Sequence, residues 1–127
     1  MMKPSLIRIL SAIAACTAWF SWAADVPYPS KPVRVIVSLS PGSGGDLATR
    51  TVTARFSEAF GQQFIVDNRV GFSGNIGAET AARANADGYT LLVIYAGSAI
   101  SQSYHKDLKY RLDDDFVAVG QFAAVPL

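Results

Sequence analysis

Val33-Arg34-Val35-Ile36-Val37-Ser38-Leu39, running into Ser40-Pro41-Gly42-Ser43-Gly44-Gly45-Asp46, is the stretch on which the fold turns. The first seven residues are rich in β-branched side chains and almost continuously apolar, the pattern of a strand covered on both faces in a parallel sheet. The next seven are a glycine turn that opens an amphipathic helix. Asp46 is placed to cap that helix. Ala48, Val52, Phe56, Ala59 and Phe60 recur at helical spacing as its core face, and Gly61 offers the left-handed residue that ends it. A strand–glycine turn–helix joint leaves the first amides of the helix unpaired, with the positive end of the helix dipole behind them. Such a joint suits a small anion, a carboxylate or a phosphate.

The pattern repeats. Gln63 to Asp67 reads as a second strand, Asn68 to Asn75 as a second glycine-containing loop, and Asn75 to about Ala84 as a second helix. Asn85-Ala86-Asp87-Gly88 is a turn, and Tyr89 to Tyr95 is a third apolar strand. Ala96 to Ser103 reads as a third small-residue loop, with a helical turn within Ser101 to Leu108. Phe116 to Ala123 reads as a fourth strand after the acidic run Asp113-Asp114-Asp115. The order βαβαβ with short connections predicts an α/β fold, a parallel sheet with helices on both faces. In such a sheet, ligands bind beyond the carboxyl ends of the strands, at the switch point. All three strand-exit loops therefore face one rim.

Met1 to Ala23 reads as an export signal. Lys3 and Arg8 precede an apolar run of 12 residues, Ile9 to Phe20, and Ser21-Trp22-Ala23 supplies the small residues of a cleavage site. That run is shorter than the roughly 20 residues of a spanning helix, so cleavage after Ala23 is expected rather than an uncleaved anchor. Ile13-Ala14-Ala15-Cys16 offers a lipid-anchored alternative, opposed by the apolar residues Thr17 to Phe20 that follow the cysteine. Cleavage leaves 104 residues, one domain at most, with no cysteine, which excludes disulfides and thiolate chemistry. Loss of Lys3 and Arg8 leaves nine basic residues against ten acids, a net charge of −1 and no footprint for nucleic acid.

Other chemistries lack their residues. No Gly-Lys-Ser/Thr follows the glycines, and Leu47 stands where a dinucleotide motif needs its third glycine. No Gly-x-Ser-x-Gly elbow surrounds any serine. His105 is the sole histidine, so no metal site and no cofactor is expected. Asp46 reads as a cap before it reads as a catalytic acid. Asn75 is a helix cap or a ligand contact. Ser98 is a candidate hydrogen-bond donor to a carboxylate or a solvated loop hydroxyl, and Arg69 reads as part of a surface or structural ion pair before it reads as a ligand contact.

Three stretches in order, Tyr28 to Arg34 leading to Pro41 to Asp46, Asp67 to Glu79, and Asp87 to Leu92, resemble the Bug family. These are the extracytoplasmic solute receptors of tripartite tricarboxylate transporters. The resemblance implies a two-lobed flytrap fold, with residues 24–127 forming part of the first lobe and the second lobe absent. It implies a periplasmic, monomeric receptor rather than an enzyme, which captures a small di- or tricarboxylate and delivers it to membrane permease subunits. Its ligand loops fall on Pro41 to Asp46 and Ala96 to Ser101. The candidate ligand-binding residues are Gly42, Ser43, Gly44, Gly45, Asp46, Asn75, Gly97 and Ser98. Two positions depart from the family pattern: Gly45 where a hydroxyl residue is common, and Val70 where proline is usual. The rival readings are an exported α/β enzyme such as a hydrolase and an inactive truncated remnant. A single lobe is expected to be weakly stable and to bind no ligand tightly.

Overall fold

The computed structural model describes residues 27–124; the expected export signal, its expected cleavage site and Cys16 lie outside the described residues. Strand β1 (Val33–Val37) leads to α1 (Gly44–Phe60), β2 (Phe64–Asn68), a 3-10 turn (Phe72–Gly74) and α2 (Asn75–Ala82). Then come β3 (Thr90–Val93), α3 (Ala96–Tyr104) and the short α4 (Leu112–Asp115). The sheet is parallel in the order β2-β1-β3. Val35 pairs with Val66 on one side and with Leu91 on the other. From β1 the chain moves to one neighbour, and from β2 it crosses to the other. Right-handed crossovers therefore put α1 and α2 on opposite faces.

The central strand carries the core. Val33, Ile36 and Val37 are fully buried, and Val35 nearly so. Ile36→Ala removes a buried side chain from the middle of that strand. It is expected to cost about 2–5 kcal/mol, read as a lower urea midpoint at unchanged slope.

Helix α1 buries a different face from the one its apolar spacing predicts. Asp46, Thr49 and Thr53 are its buried residues, whereas Phe56, Ala59 and Phe60 are exposed. The threonines bury because their hydroxyls turn back on the helix: Thr49 Oγ1 donates to Gly45 O at 2.7 Å and Thr53 Oγ1 to Arg50 O at 3.1 Å. What they present to the sheet is then a methyl group. Phe56 and Phe60 instead gather with Phe64 at the β2 edge, with ring centroids 5.4–6.1 Å apart. Gly61 ends the helix at φ 65°, as expected.

Three expectations fail, each for a physical reason. Asp46 is not the cap of α1. Ser43 is, its Oγ accepting from the Asp46 amide while Asp46 sits in the first turn. Ala96 to Ser103 is not a loop but most of α3. Its buried positions are Ser98 and Ser101, so the helix packs through hydroxyl-bearing side chains and leaves no apolar stripe to recognise. Phe116 to Ala123 is not a strand among the described residues. The segment meets no sheet edge, and Val117 and Val119 stay 90% and 85% exposed. An alternating pattern makes a strand only when another strand supplies the ladder.

Candidate functional site

The β1 exit is built around Asp46, which is only 1% exposed. Its carboxylate accepts from the Gly42 amide (2.9 Å), Arg50 Nε (2.9 Å) and Asn68 Nδ2 (2.8 Å). Asn68 also donates to Leu39 O, and its Oδ1 accepts from Arg50. One carboxylate thus ties the turn, the first turn of α1 and the end of β2 together. The Arg50 hydrogen bond first, then those from Asn68 and Gly42, hold the Asp46 carboxyl at about 2 against an ordinary 3.8. Asp46 is accordingly ionised and fully engaged.

The same bonds sort the amides of the loop. Gly42 donates to Asp46, Ser43 to Ser40 O, and Asp46 to Ser43 Oγ. Gly44 and Gly45 open the helix, where first-turn amides have no helical acceptor. Of the five residues singled out in this loop, Gly44 and Gly45 present donors. Gly42, Ser43 and Asp46 set the shape.

The β2 exit turns sharply. Phe72 (φ 47°) and Ser73 (φ 52°) both hold the left-handed backbone that side chains disfavour, and Gly74 follows at φ 88°. Strain of this kind is kept where the surroundings impose it. Phe72 is exposed and its ring lies 4.5 Å from that of His105. Asn75 is not the cap of α2, which is Gly74. The Asn75 side chain is buried, donating to Ser101 Oγ at 2.7 Å and accepting from the buried Tyr110 OH at 2.6 Å. Both ends of its amide are engaged, so it locks α2 against α3 and the segment beyond. The expected Arg69 ion pair is present, to Asp67 at 3.1 Å, and Asp67 also holds Arg34. Those two arginines, Arg34 foremost, keep the Asp67 carboxyl below its ordinary range.

The three exits meet at Gly74. A methyl group placed on Gly74 would lie 2.8 Å from Ser98 Oγ, 3.1 Å from Tyr95 Cε1 and 3.2 Å from Ser38 Cβ. Ser38 follows β1, Gly74 follows β2, and Tyr95 and Ser98 follow β3. Ser98 is fully buried, Ser38 nearly so, and neither hydroxyl has a hydrogen-bond partner among the described residues. Beside them, Ala96 and Gly97 open α3 with first-turn amides, while the Ser98 amide is taken by Tyr95 O. Two helix starts whose first-turn amides lack helical acceptors thus stand at the carboxyl end of the sheet, the same end as two buried hydroxyls without partners among the described residues. The chemistry of that end suits an acceptor-rich, anionic guest.

Sequence reasoning missed Ser38 and Tyr95. Both looked like strand residues, and the only available signal was their polarity at the carboxyl ends of otherwise apolar runs. It named Ser98 and Gly97 while taking their helix for a loop.

The model of the tripartite tricarboxylate transporter family receptor matches residues 35–127. A protein of Pseudomonas sp. (strain P51), described as a UPF0065 protein in the tcbD-tcbE intergenic region, is 35% identical over 121 residues, 94% of this chain. The chain spans 36% of that relative, about a third of its length. Among solved structures, MatC from Rhodopseudomonas palustris with bound malate is similar at a TM-score of 0.65 and 32% identity. That match covers 70% of this chain and 31% of MatC. An R. palustris protein with adipate matches at a TM-score of 0.52 and 41% identity, covering 54% of this chain and 23% of its own.

Proposed function

Since this chain belongs to the tripartite tricarboxylate transporter receptor family, the Bug-type receptors, we propose that it captures a small dicarboxylate or tricarboxylate outside the cytoplasm. In this reading Met1 to Ala23 directs export to the periplasm. Residues 24–127 belong to the first lobe of a two-lobed receptor, and the captured acid is passed to membrane permease subunits. The observation that carries the proposal is the meeting of three strand exits at Gly74, with the buried hydroxyls of Ser38 and Ser98 on those exits lacking partners among the described residues. The malate and adipate in the two R. palustris relatives support a carboxylate as the guest. That the family is one of receptors supports binding without turnover.

Within that reading the roles divide. Gly44, Gly45, Gly97 and Ser98 address the ligand, while Gly42, Ser43, Asp46 and Asn75 hold the loops that present them. A second lobe would complete the site and favour a closed form through contacts made only there. Calorimetric titration tests the proposal, using the protein expressed from its complete reading frame with malate, adipate, citrate and their uncharged amides. At least one acid is expected to bind saturably and about tenfold or more tighter than its amide, since hydrogen bonds to an ionised acceptor are the stronger ones. Equal binding of acids and amides, or no binding of any acid, would sink it.

A further inference from the structure

Tyr95 stands directly before α3 with an extended backbone, and its ring folds back into the point where the strand exits meet. One ring edge lies on Gly74, where an added methyl would sit 3.1 Å from Cε1. The other lies on Gly97, where a methyl would run into Cε2 and sit 3.2 Å from both Cδ2 and Cζ. Glycine at 74 and at 97 is what makes room for the ring in this position. The same point beside Gly74 is 2.8 Å from Ser98 Oγ and 3.2 Å from Ser38 Cβ. Ring and Ser98 hydroxyl therefore share one nest, whereas the Ser38 hydroxyl turns toward α2, where a methyl on Gly77 would run into it.

The polar groups of the nest are poorly served. The hydroxyls of Ser38 and Ser98 are shut off from solvent with no partner among the described residues, an arrangement that proteins normally avoid. The ring that shares the nest with Ser98 is held by contact alone. The hydroxyls of Tyr28, Tyr89 and Tyr110 are each hydrogen-bonded, and that of Tyr95 is not, among the described residues. Tyr95 is also part-exposed.

We infer that Tyr95 is a gate over a polar subsite, closed in this structure, and that its outward swing presents the Ser98 hydroxyl to one carboxylate of the ligand. The inference rests on the receptor reading above. The closed form leaves that donor idle, and the open form gives it a carboxylate oxygen. The ring gives up its contacts at Gly74 and Gly97. Because the binding-competent form is the minor one, apparent affinity is lowered by its fractional population; a closed form favoured about ten to one weakens binding about tenfold.

The test is calorimetric titration with malate and adipate of the protein from its complete reading frame, with each variant's thermal melt confirming that it is folded. Tyr95→Ala removes the gate, and Gly97→Ala drives the intact ring out from beneath. Both are expected to tighten binding of whichever acid the unchanged protein takes, by about tenfold. Tyr95→Phe is expected to bind as the unchanged protein does, and Ser98→Ala added to Tyr95→Ala to cancel the gain. If the unchanged protein binds an acid and neither Tyr95→Ala nor Gly97→Ala binds it tighter, the gate is overturned and the receptor reading stands. Weaker binding by Tyr95→Phe would make the phenol a direct ligand contact and also overturn the gate. No binding by any form would overturn the receptor reading and the gate together.

Discussion

Gly74→Ala is expected to cost about 2–5 kcal/mol of stability and to abolish carboxylate binding. Two penalties add. At φ 88° the backbone is left-handed, which a residue with a side chain adopts at roughly 1–2 kcal/mol. The new methyl also enters a nest already filled by Ser98 Oγ, Tyr95 Cε1 and Ser38 Cβ, at 2.8, 3.1 and 3.2 Å; overpacking of this sort costs about 1–3 kcal/mol. The three neighbours come from two different strand exits, so no single side chain moving aside relieves the crowding. Urea unfolding monitored by circular dichroism measures the effect as a lowered midpoint. A midpoint unchanged within error would show that the exits do not meet at Gly74, and the proposed site would lose its centre.

Asp46→Asn is expected to reduce the protein's loss of stability in strong acid and to loosen the β1 exit at every pH. The Asp46 carboxyl titrates at about 2 in the folded chain against an ordinary 3.8. A carboxyl whose folded value is depressed contributes stability above its unfolded value, and that contribution is lost as pH falls through the folded one. For Asp46 the contribution is complete above about 3.8 and fades down to about 2. The asparagine variant has no proton to take up at this position, although Asp67 and Asp87, also held below the ordinary value, still titrate. It also forfeits the ionic partner of Arg50 and one acceptor oxygen of the three-way contact with Gly42 and Asn68. Thermal melts of both proteins at intervals between pH 2 and 5 read the difference: a falling limb for the unchanged protein, and a shallower one from a lower start for the variant. Parallel limbs would mean that Asp46 is not the ionised hub of the turn.

Much of the framework was legible before any coordinate. Val33 to Val37 is apolar at every position but one, and a strand of that kind must be covered on both faces. The glycine turn that follows fits only a strand-to-helix joint, and Gly61 closes the helix where a left-handed residue is needed. Repetition of the unit then leaves a parallel sheet and a common rim for its exits. The candidate residues Gly44, Gly45, Gly97 and Ser98 all lie at that rim, beyond the ends of β1 and β3.

The failures share a cause. Asp46 and Asn75 both carry a short polar side chain at a helix start, which locally means a cap. Each is instead turned inward by partners far along the chain, Asn68 for one, Ser101 and Tyr110 for the other. Helix α3 was hidden because serine spacing carries no hydrophobic period. Phe116 to Ala123 has the period of a strand but no neighbour to pair with.

The order and type of β1, α1, β2, α2 and β3, and the end of the sheet at which the proposed site lies, were thus determined by the sequence alone, because side-chain period and turn chemistry act over a few residues. Which polar groups are consumed, and which are left to meet a guest, was decided only by the tertiary structure. Ser38, Gly74, Tyr95 and Ser98 share no local pattern. They become one nest because three parallel strands end side by side, and hydrogen bonds such as Asp46 to Asn68 and Asn75 to Tyr110 hold those ends in place.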